Sequence, residues 1–512
     1  MRNFSLDQIP YSDELTCLKD VFNAKNIIKN TRTLSEREEL HNKIVGSLEE
    51  AVRLCGLKDG MTISFHHHFR NGDYIVNLVM DKLAEMGFKH LVVAASSLTD
   101  CHYPLIEHIK SGVIRRIETS GLRGKLAEAI SGGLMDVPVV FRSHGGRAGA
   151  IENGELPIDV AFLGAPSCDP YGNANGYIRD KDEGIMCGSM GYAKCDSQNA
   201  DKTIIITNHV VHYPNAPFGI SESDVDYIVK VDEIGDPAGI MSGATRFTSN
   251  PKELMIAEMA CKVIIASGRF KDGFSFQTGT GGASLAVTRF LRDMMRAKKI
   301  RASFALGGIT GSIVDLYEEG LVRKLLDVQS FDLKAARSLR DNRFHQQISA
   351  SYYASPYNEG TAVNQLDVVV LSALEVDCNY NVNVLTGSDG VIRGAIGGHP
   401  DTAYGASVSI IVVPLTRGRI PCIVKEAGTI VTPGKIVDVI VTDHGIAVNP
   451  MRKNLRKRIV DSGLPVFEIE ELQQKAEKLV GISDPIPYTD KVVGVVTYRD
   501  GTVIDLIRQI KE

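Results

Sequence analysis

KDGMTISFHHHFRNGDYIVNLV (58–79) and KDGFSFQTGTGGASLAVTRF (271–290) are one pattern written twice. Each holds a turn, a short apolar run, a loop rich in histidine or glycine, and then apolar residues at helical spacing. Ile75, Leu78, Val79 and Leu83 share a helical face in the first, as do Val287, Phe290, Leu291 and Met294 in the second. The likeness continues in order down the chain. SGVIRRI (111–117) meets EGLVRKL (319–325), and IDVAFLGAPSCDPYGNAN (158–175) meets LDVVVLSALEVDCNYNVN (366–383). TIIITNHVV (203–211) meets SIIVVPLT (409–416), and VDYIVKVDEIGDP (225–237) meets VDVIVTDHGIAVNP (437–450). Blocks kept in one order at a nearly constant offset predict an internal duplication.

Within each copy short apolar runs alternate with helical segments, which predicts an α/β fold with mainly parallel sheets and helices on their faces. The reading divides the chain into an N-terminal helical extension (1–45), a first unit (46–250) and a second unit (251–512). The join falls near SGATRFTSNPKE, where Pro251 breaks any helix. DKVVGVVTYRDGTVIDLIRQIKE (490–512) reads as a strand, a turn at Asp500-Gly501 and a final helix.

A chain of 512 residues with 44% hydrophobic and 23% charged residues and no tryptophan can bury a large core. Its net charge of −5 gives no reason to expect nucleic acid or an anionic membrane as partner. Arg452, Lys453, Arg456 and Lys457 are too short a cluster to alter that and read as a solvated helix face. No apolar run reaches the ~18 residues of a membrane span. The N-terminus lacks the apolar core of a secretory signal. The nine cysteines are scattered and form no C-x-x-C pair, so neither a disulfide framework nor a zinc ribbon is expected. A cytoplasmic enzyme is the expectation.

In open α/β sheets ligands bind where strands end and helices begin. Four such loops stand out. FQTGTGG (276–282) brings Gly279, Gly281 and Gly282 close to a ligand and offers backbone N–H groups to an anion. It is close to a dinucleotide fingerprint, but the next strand, SFALGG (303–308), ends in Gly307-Gly308 where a nicotinamide enzyme needs an acidic residue. SALEVDCNYNVNVLTGSDG (372–390) carries Glu375 just past an apolar run, with Asp377 and Asn381 following, and GAIGGHPDTAYGA (394–406) adds Gly394, Gly397 and Gly398. SFHHHFR (64–70) stands where the glycine loop stands in the other copy. Neighbouring histidines on a strand point to opposite sides, so no metal site is expected. His66, His67, His68 and Arg70 suit a carboxylate-rich substrate instead. No Walker A, H-E-x-x-H or G-x-S-x-G pattern occurs.

The duplicated unit, with VDLYEEGLV (314–322), SALEVD and GAIGGHPDTAYGA, resembles the CoA-transferase superfamily. SFHHHFR, SSLTDCHYPLIEHIKSGVI (96–114), RSHGGR (142–147) and GAPSCDPYGNANG (164–176) resemble its citrate lyase alpha-chain branch over essentially the whole chain. The resemblance implies two tandem CoA-transferase-like domains and a citrate:acetyl-carrier-protein transferase. It would exchange acetate for citrate on the phosphoribosyl-dephospho-CoA thioester of a gamma subunit, beside a beta subunit that cleaves the citryl thioester. It further implies acetyl-CoA as a substitute for the carrier, no cofactor bound covalently to this chain, and an oligomer. Many superfamily members use a glutamate as nucleophile. Aligned through Val314, Asp315 and Leu316, that position falls at about Gly307, so the glutamyl route is unavailable and direct transfer in a ternary complex is expected. Residues expected to act are Glu375, Gly307 and Gly308 at the reacting centre, and His66–His68, Arg70 and Arg147 on citrate. Gly279, Gly281, Gly282, Asn381, Gly394, Gly397 and Gly398 are expected on the thioester. A transferase for a related acid such as citramalate, a sugar-phosphate isomerase and a non-catalytic subunit are the alternatives.

Overall fold

The computed structural model describes residues 42–179, 185–241, 248–279 and 281–511. Two large sheets carry the chain. Starting from the strand after each KDG turn, Thr62–Phe65 in one sheet and Ser275–Thr278 in the other, the next three strands stack to one side. These are Leu91–Ala95, Ile114–Thr119 and Val139–Phe141 in the first, and Phe304–Ile309, Leu325–Ser330 and His345–Gln347 in the second. The fifth, sixth and seventh stack to the other side: Val160–Ala165, Lys202–Thr207 and Tyr227–Lys230, against Val368–Ser372, Val408–Val412 and Val439–Thr442. All of these pair in parallel.

The same aspartates close the same gaps in both sheets. A strand's first N–H lies beyond the regular ladder and needs an acceptor. Asp159 accepts from Thr62 N at 2.7 Å and Asp367 from Ser275 N at 3.0 Å. Asp226 accepts from Thr203 N at 3.0 Å and Asp438 from Ser409 N at 2.8 Å. Asp59 and Asp272, of the two KDG turns, take Lys89 N and Arg301 N at 2.8 and 2.9 Å. Shared strand order and shared clamps are what an internal duplication calls for.

Each sheet buries one side of its helices. The helix Ile75–Glu85 turns Ile75, Val76, Val79, Met80 and Leu83 into the core, while Leu78, expected on that face, is 38% exposed. The helix Gly282–Lys298 buries Val287, Leu291 and Met295, with Phe290 and Met294 half-buried beside them. Pro251 begins a helix rather than breaking one. It stands first in Pro251–Ala266, where its missing N–H costs nothing, and Asn250 caps that end by accepting from Lys252 N at 3.0 Å.

The end of the chain departs from the sequence reading more sharply. Val503–Ile510 is a strand, not a helix, and pairs antiparallel with Tyr488–Thr497. Tyr488–Thr497 in turn lies parallel to Val139–Phe141, so this hairpin completes the first sheet although it follows the second in sequence. Of the helical extension expected over 1–45, residues 1–41 lie outside the described residues, and Ile44–Val45 is a strand beside Tyr227–Lys230. The proposed join also lies partly outside them, at 242–247. Among the described residues no helix is long and apolar enough to cross a membrane.

Candidate active site

Both sheets aim the C-terminal ends of their strands into one cleft of about 580 Å³. The first sheet contributes His67, Ser97, Ser120 and His144, each just past the end of a strand. The second contributes Gly279 just past Ser275–Thr278, Gly308 and Gln329 near the ends of Phe304–Ile309 and Leu325–Ser330, and Ser372, the last residue of Val368–Ser372. The two walls differ in chemistry.

The first wall is cationic and aromatic. His67 is buried, with Nδ1 2.5 Å from Ser96 Oγ, and its ring stacks on Tyr192 at 5.3 Å between centroids. His144 packs on the same tyrosine at 4.6 Å. Burial pushes the His67 imidazole well below its ordinary range and His144 down to about 3, so both rings are neutral hydrogen-bonding groups near pH 7. Charge comes from Arg70 and Arg123. The Arg70 guanidinium lies 4.8 Å from the centre of the Phe331 ring, bridging to the second half, and donates to Ile240 O at 3.3 Å. Burial, and then the neighbouring Arg123 charge, lower Arg70 to about 10, still cationic. Arg70 is buried and Arg123 half-buried with the Asp100 carboxylate near it, and an anion between the two guanidinium groups would offset the repulsion that Arg70 feels. Arg393 and Arg417 add charge at the rim, and Glu253 is the one carboxylate among the described lining residues.

The second wall is built of glycine. Gly281 caps the helix Gly282–Lys298 without a side-chain partner among the described residues, so the first-turn N–H groups face the cleft at the positive end of the helix dipole. A Cβ on Gly282 would lie 2.3 Å from Glu253 Oε2, and one on Gly281 2.6 Å from Ser372 Oγ. The loop 394–398 is zipped to the first half: Leu122 N donates to Gly394 O at 3.1 Å, Ile396 N to Ser120 O at 2.7 Å and His144 N to Gly397 O at 2.9 Å. Gly397 is left-handed at φ +56, and a Cβ on Gly398 would meet Tyr353 Oη at 2.4 Å. Neither the Gly397 nor the Gly398 N–H has a partner among the described residues.

Gly307 and Gly308 occupy a bulge in Phe304–Ile309. Gly307 has φ +98 and a Cβ there would sit 2.6 Å from the Gln277 side chain, which donates to Tyr353 Oη at 3.0 Å. Gly308 lines the cleft against Phe331, 1.6 Å from where its Cβ would be. No acidic side chain fits at Gly307 without displacing Gln277.

Of the residues singled out from sequence, His67, Arg70, Gly279, Gly281, Gly282, Gly308, Gly394, Gly397 and Gly398 line the cleft. Five others do not. His66 and His68 lie under its floor with rings 3.8 Å apart. Arg147 is buried and paired with Asp196 through bonds of 2.6 and 2.8 Å. Asn381 donates to Asp377 and accepts from Gly434 N, as Asn173 does with Asp169 and Glu222 N in the other half. Glu375 accepts from Asn383 Nδ2 at 2.9 Å and Gly428 N at 2.7 Å, binding one loop to another. Their geometry is structural. Arg123, His144, Tyr192 and Tyr353 were not singled out. His144 stands inside RSHGGR beside Arg147, a motif that could have pointed to it; Arg123 carries no motif signal.

The family pattern described as "Citrate lyase, alpha subunit" matches residues 41–510. The citrate lyase alpha chain of Klebsiella pneumoniae is 60% identical over 477 residues, 93% of each chain. That of Escherichia coli K12 is 58% identical over 481 residues, 94% of each. This chain belongs to the citrate lyase alpha-subunit family. A Streptococcus mutans protein assigned to the same subunit, solved in complex with citrate, is 56% identical with a TM-score of 0.89 over 92% of each chain. A 4-hydroxybutyrate CoA-transferase from Porphyromonas gingivalis, 18% identical with a TM-score of 0.54 over 88% of this chain and 99% of its own, shares the fold. The acyl-thioester transferase class expected from the sequence holds for the citrate lyase alpha family, and so does membership of a multi-subunit citrate lyase.

Proposed function

We propose that the chain is the citrate:acetyl-carrier-protein transferase of an ATP-independent citrate lyase, working directly between bound citrate and a thioester. What carries the reading is the pairing, in one cleft, of buried Arg70 and half-buried Arg123 with glycine loops whose N–H groups have no partner among the described residues. The first suits a tricarboxylate, and the second a developing oxyanion. The Streptococcus mutans relative that holds citrate supports the same choice of acid.

Citrate is held through its carboxylates by Arg70 and Arg123, with neutral His67 and His144 as hydrogen-bond partners. One citrate carboxylate oxygen attacks the acetyl thioester carbonyl. The tetrahedral oxyanion is met by N–H groups of Gly281–Gly282 or Gly397–Gly398, each such donor worth roughly 3–4 kcal/mol. The C–S bond breaks, leaving a citryl–acetyl anhydride and thiolate. The thiolate attacks the citryl carbonyl, and acetate departs. A carboxylate and a thioester become a carboxylate and a thioester, so no net proton moves and no general base is required. Positioning and electrostatics supply the catalysis, and the bound substrates must fill the cleft closely enough to keep water from the anhydride.

The thioester is that of the phosphoribosyl-dephospho-CoA arm of the gamma subunit, with acetyl-CoA as substitute, and the beta subunit cleaves the citryl product. The complex is oligomeric and cytoplasmic in this reading. The test mixes the full chain with acetyl-CoA and citrate, with citramalate in parallel, and follows acetate and acyl-CoA by mass spectrometry. Citrate-dependent acetate release without a protein-bound thioester is expected. Turnover with citramalate alone keeps the class and changes the acid; no exchange with either, even with the carrier protein present, ends the transferase reading.

A further inference from the structure

Behind the cleft, where none of its atoms line the cavity, a buried carboxylate ties together three distant parts of the chain. Asp401 has no exposed surface. One oxygen accepts from Ser143 Oγ at 2.9 Å and the other from Gly145 N at 2.8 Å, both at the start of the helix His144–Glu152 in the first half. Arg499, from the C-terminal hairpin, approaches the same carboxylate at 3.5 Å, donates to Ala354 O at 3.1 Å and covers the Tyr404 ring at 4.4 Å. The approach is tight: a Cβ on Gly145 would sit 2.1 Å from Ala354 O.

Both groups that Asp401 joins present their neighbours to the substrate. Its own helix, His399–Gly405, follows directly on Gly397 and Gly398, and the helix it caps begins with His144, whose N–H holds Gly397 O at 2.9 Å. We propose that Asp401 is a positioning residue for the exchange reaction. It sets the Gly397–Gly398 donors against His144 across the two halves, with Arg499 balancing its charge and making the C-terminal hairpin part of the catalytic apparatus. This rests on the transferase reading above. An oxyanion donor displaced by about an ångström loses of order 10²-fold in rate, while citrate, held by Arg70 and Arg123, keeps its affinity.

The experiment compares the full chain with Asp401→Asn, Arg499→Lys and Ser143→Ala. Acetate release from acetyl-CoA is measured at varied citrate, and hydrogen exchange of peptides spanning 143–150 and 392–400 is read on the same samples. Asp401→Asn is expected to lower kcat by about 10²-fold, leave the citrate KM close to wild type, and accelerate exchange in those two peptides but not in the helix Ile75–Glu85. Arg499→Lys, which keeps the charge, should retain more activity than Asp401→Asn. A wild-type kcat for Asp401→Asn, or a kcat loss accompanied by faster exchange throughout the chain, overturns the proposal. If Asp401→Asn does not fold, Ser143→Ala decides, because it removes one bond of the cluster: wild-type rate and exchange in it overturn the proposal equally. Should the wild-type chain itself exchange no acetate for citrate, the functional reading falls, and the two peptides alone decide whether Asp401 sets the loop.

Discussion

Arg70 holds a left-handed backbone, φ 53, that residues with a Cβ adopt at a cost of about 1–2 kcal/mol. Its carbonyl accepts from Thr99 Oγ1 at 3.1 Å and its guanidinium is fixed over Phe331, so the strain keeps a charged fork in place before substrate arrives. Arg70→Lys keeps the charge and loses the fork. Charge-assisted bonds contribute about 1.5–3 kcal/mol, so the citrate KM should rise about 10- to 10²-fold with kcat little changed; steady-state kinetics at varied citrate give the answer, and an unaltered KM removes Arg70 from the substrate. Glu375 makes the opposite case. Its sequence position, soon after VVVLSAL, invited a catalytic role, but the strand ends at Ser372 and Glu375 begins another, turned to Asn383 and Gly428. Its counterpart in the first half, Ser167, is likewise structural, bonding Tyr177 O at 2.6 Å. Glu375→Gln should therefore leave the exchange rate within a few-fold and lower stability by ~1 kcal/mol; a loss of several orders in kcat would restore Glu375 to the chemistry. Gly307→Glu should form no CoA adduct detectable by intact mass and should cost ~1–3 kcal/mol in urea unfolding.

Between residues and the whole, the helices and strands were legible wherever a local pattern carried them. The KDG turns, the strands after them and the apolar helix faces follow from spacing within a short window. Asp159, Asp226, Asp367 and Asp438 show the limit of that view: the duplication aligns them, but only the neighbouring strand, far away in sequence, reveals why each is there. The final strand was misread for the same reason. Val503, Leu506, Ile507 and Ile510 stand at helical spacing, so the local pattern points to a helix, yet pairing with Tyr488–Thr497 makes the segment a strand that buries only Ile507 fully. The glycine loops that line the cleft are legible because glycine composition is visible in the chain, whereas Arg123 and Tyr192 reach the cleft through tertiary placement alone. A chain ending after Pro487 loses Arg499 and leaves Val139–Phe141 as an unpaired edge. Exposed edges template aggregation, so this truncation should fall largely into the insoluble fraction, with any soluble remainder seen as oligomers in sedimentation; a monodisperse, active product would show the hairpin to be dispensable.

Over the molecule as a whole, buried neutral histidines make acid the natural denaturant. Burial lowers His66 to about 4, His144 to about 3 and His399 to about 4. Above pH 6.5 these rings are neutral folded or unfolded and add nothing to the balance. Below it the unfolded chain takes up protons that the folded chain refuses, and each ring removes up to about 1.4 kcal/mol per pH unit until its folded value is reached. Urea midpoints should fall steeply between pH 6.5 and 5 and decline again as pH rises from 7 to 8, because the bond to Asp73 holds His102 up to about 9 and its stabilising proton is progressively lost; His399→Gln should soften the acid fall alone, and an equal acid slope in that variant would assign that loss to other groups. The hairpin has one more consequence, for how the gene could be divided. Two polypeptides separated between Ile240 and Pro251 would each hold a full set of parallel strands, yet the second would also carry the strands that finish the first one's sheet. They would assemble by strand donation, as interlocked partners with one shared cleft, and neither would be a free-standing half-enzyme.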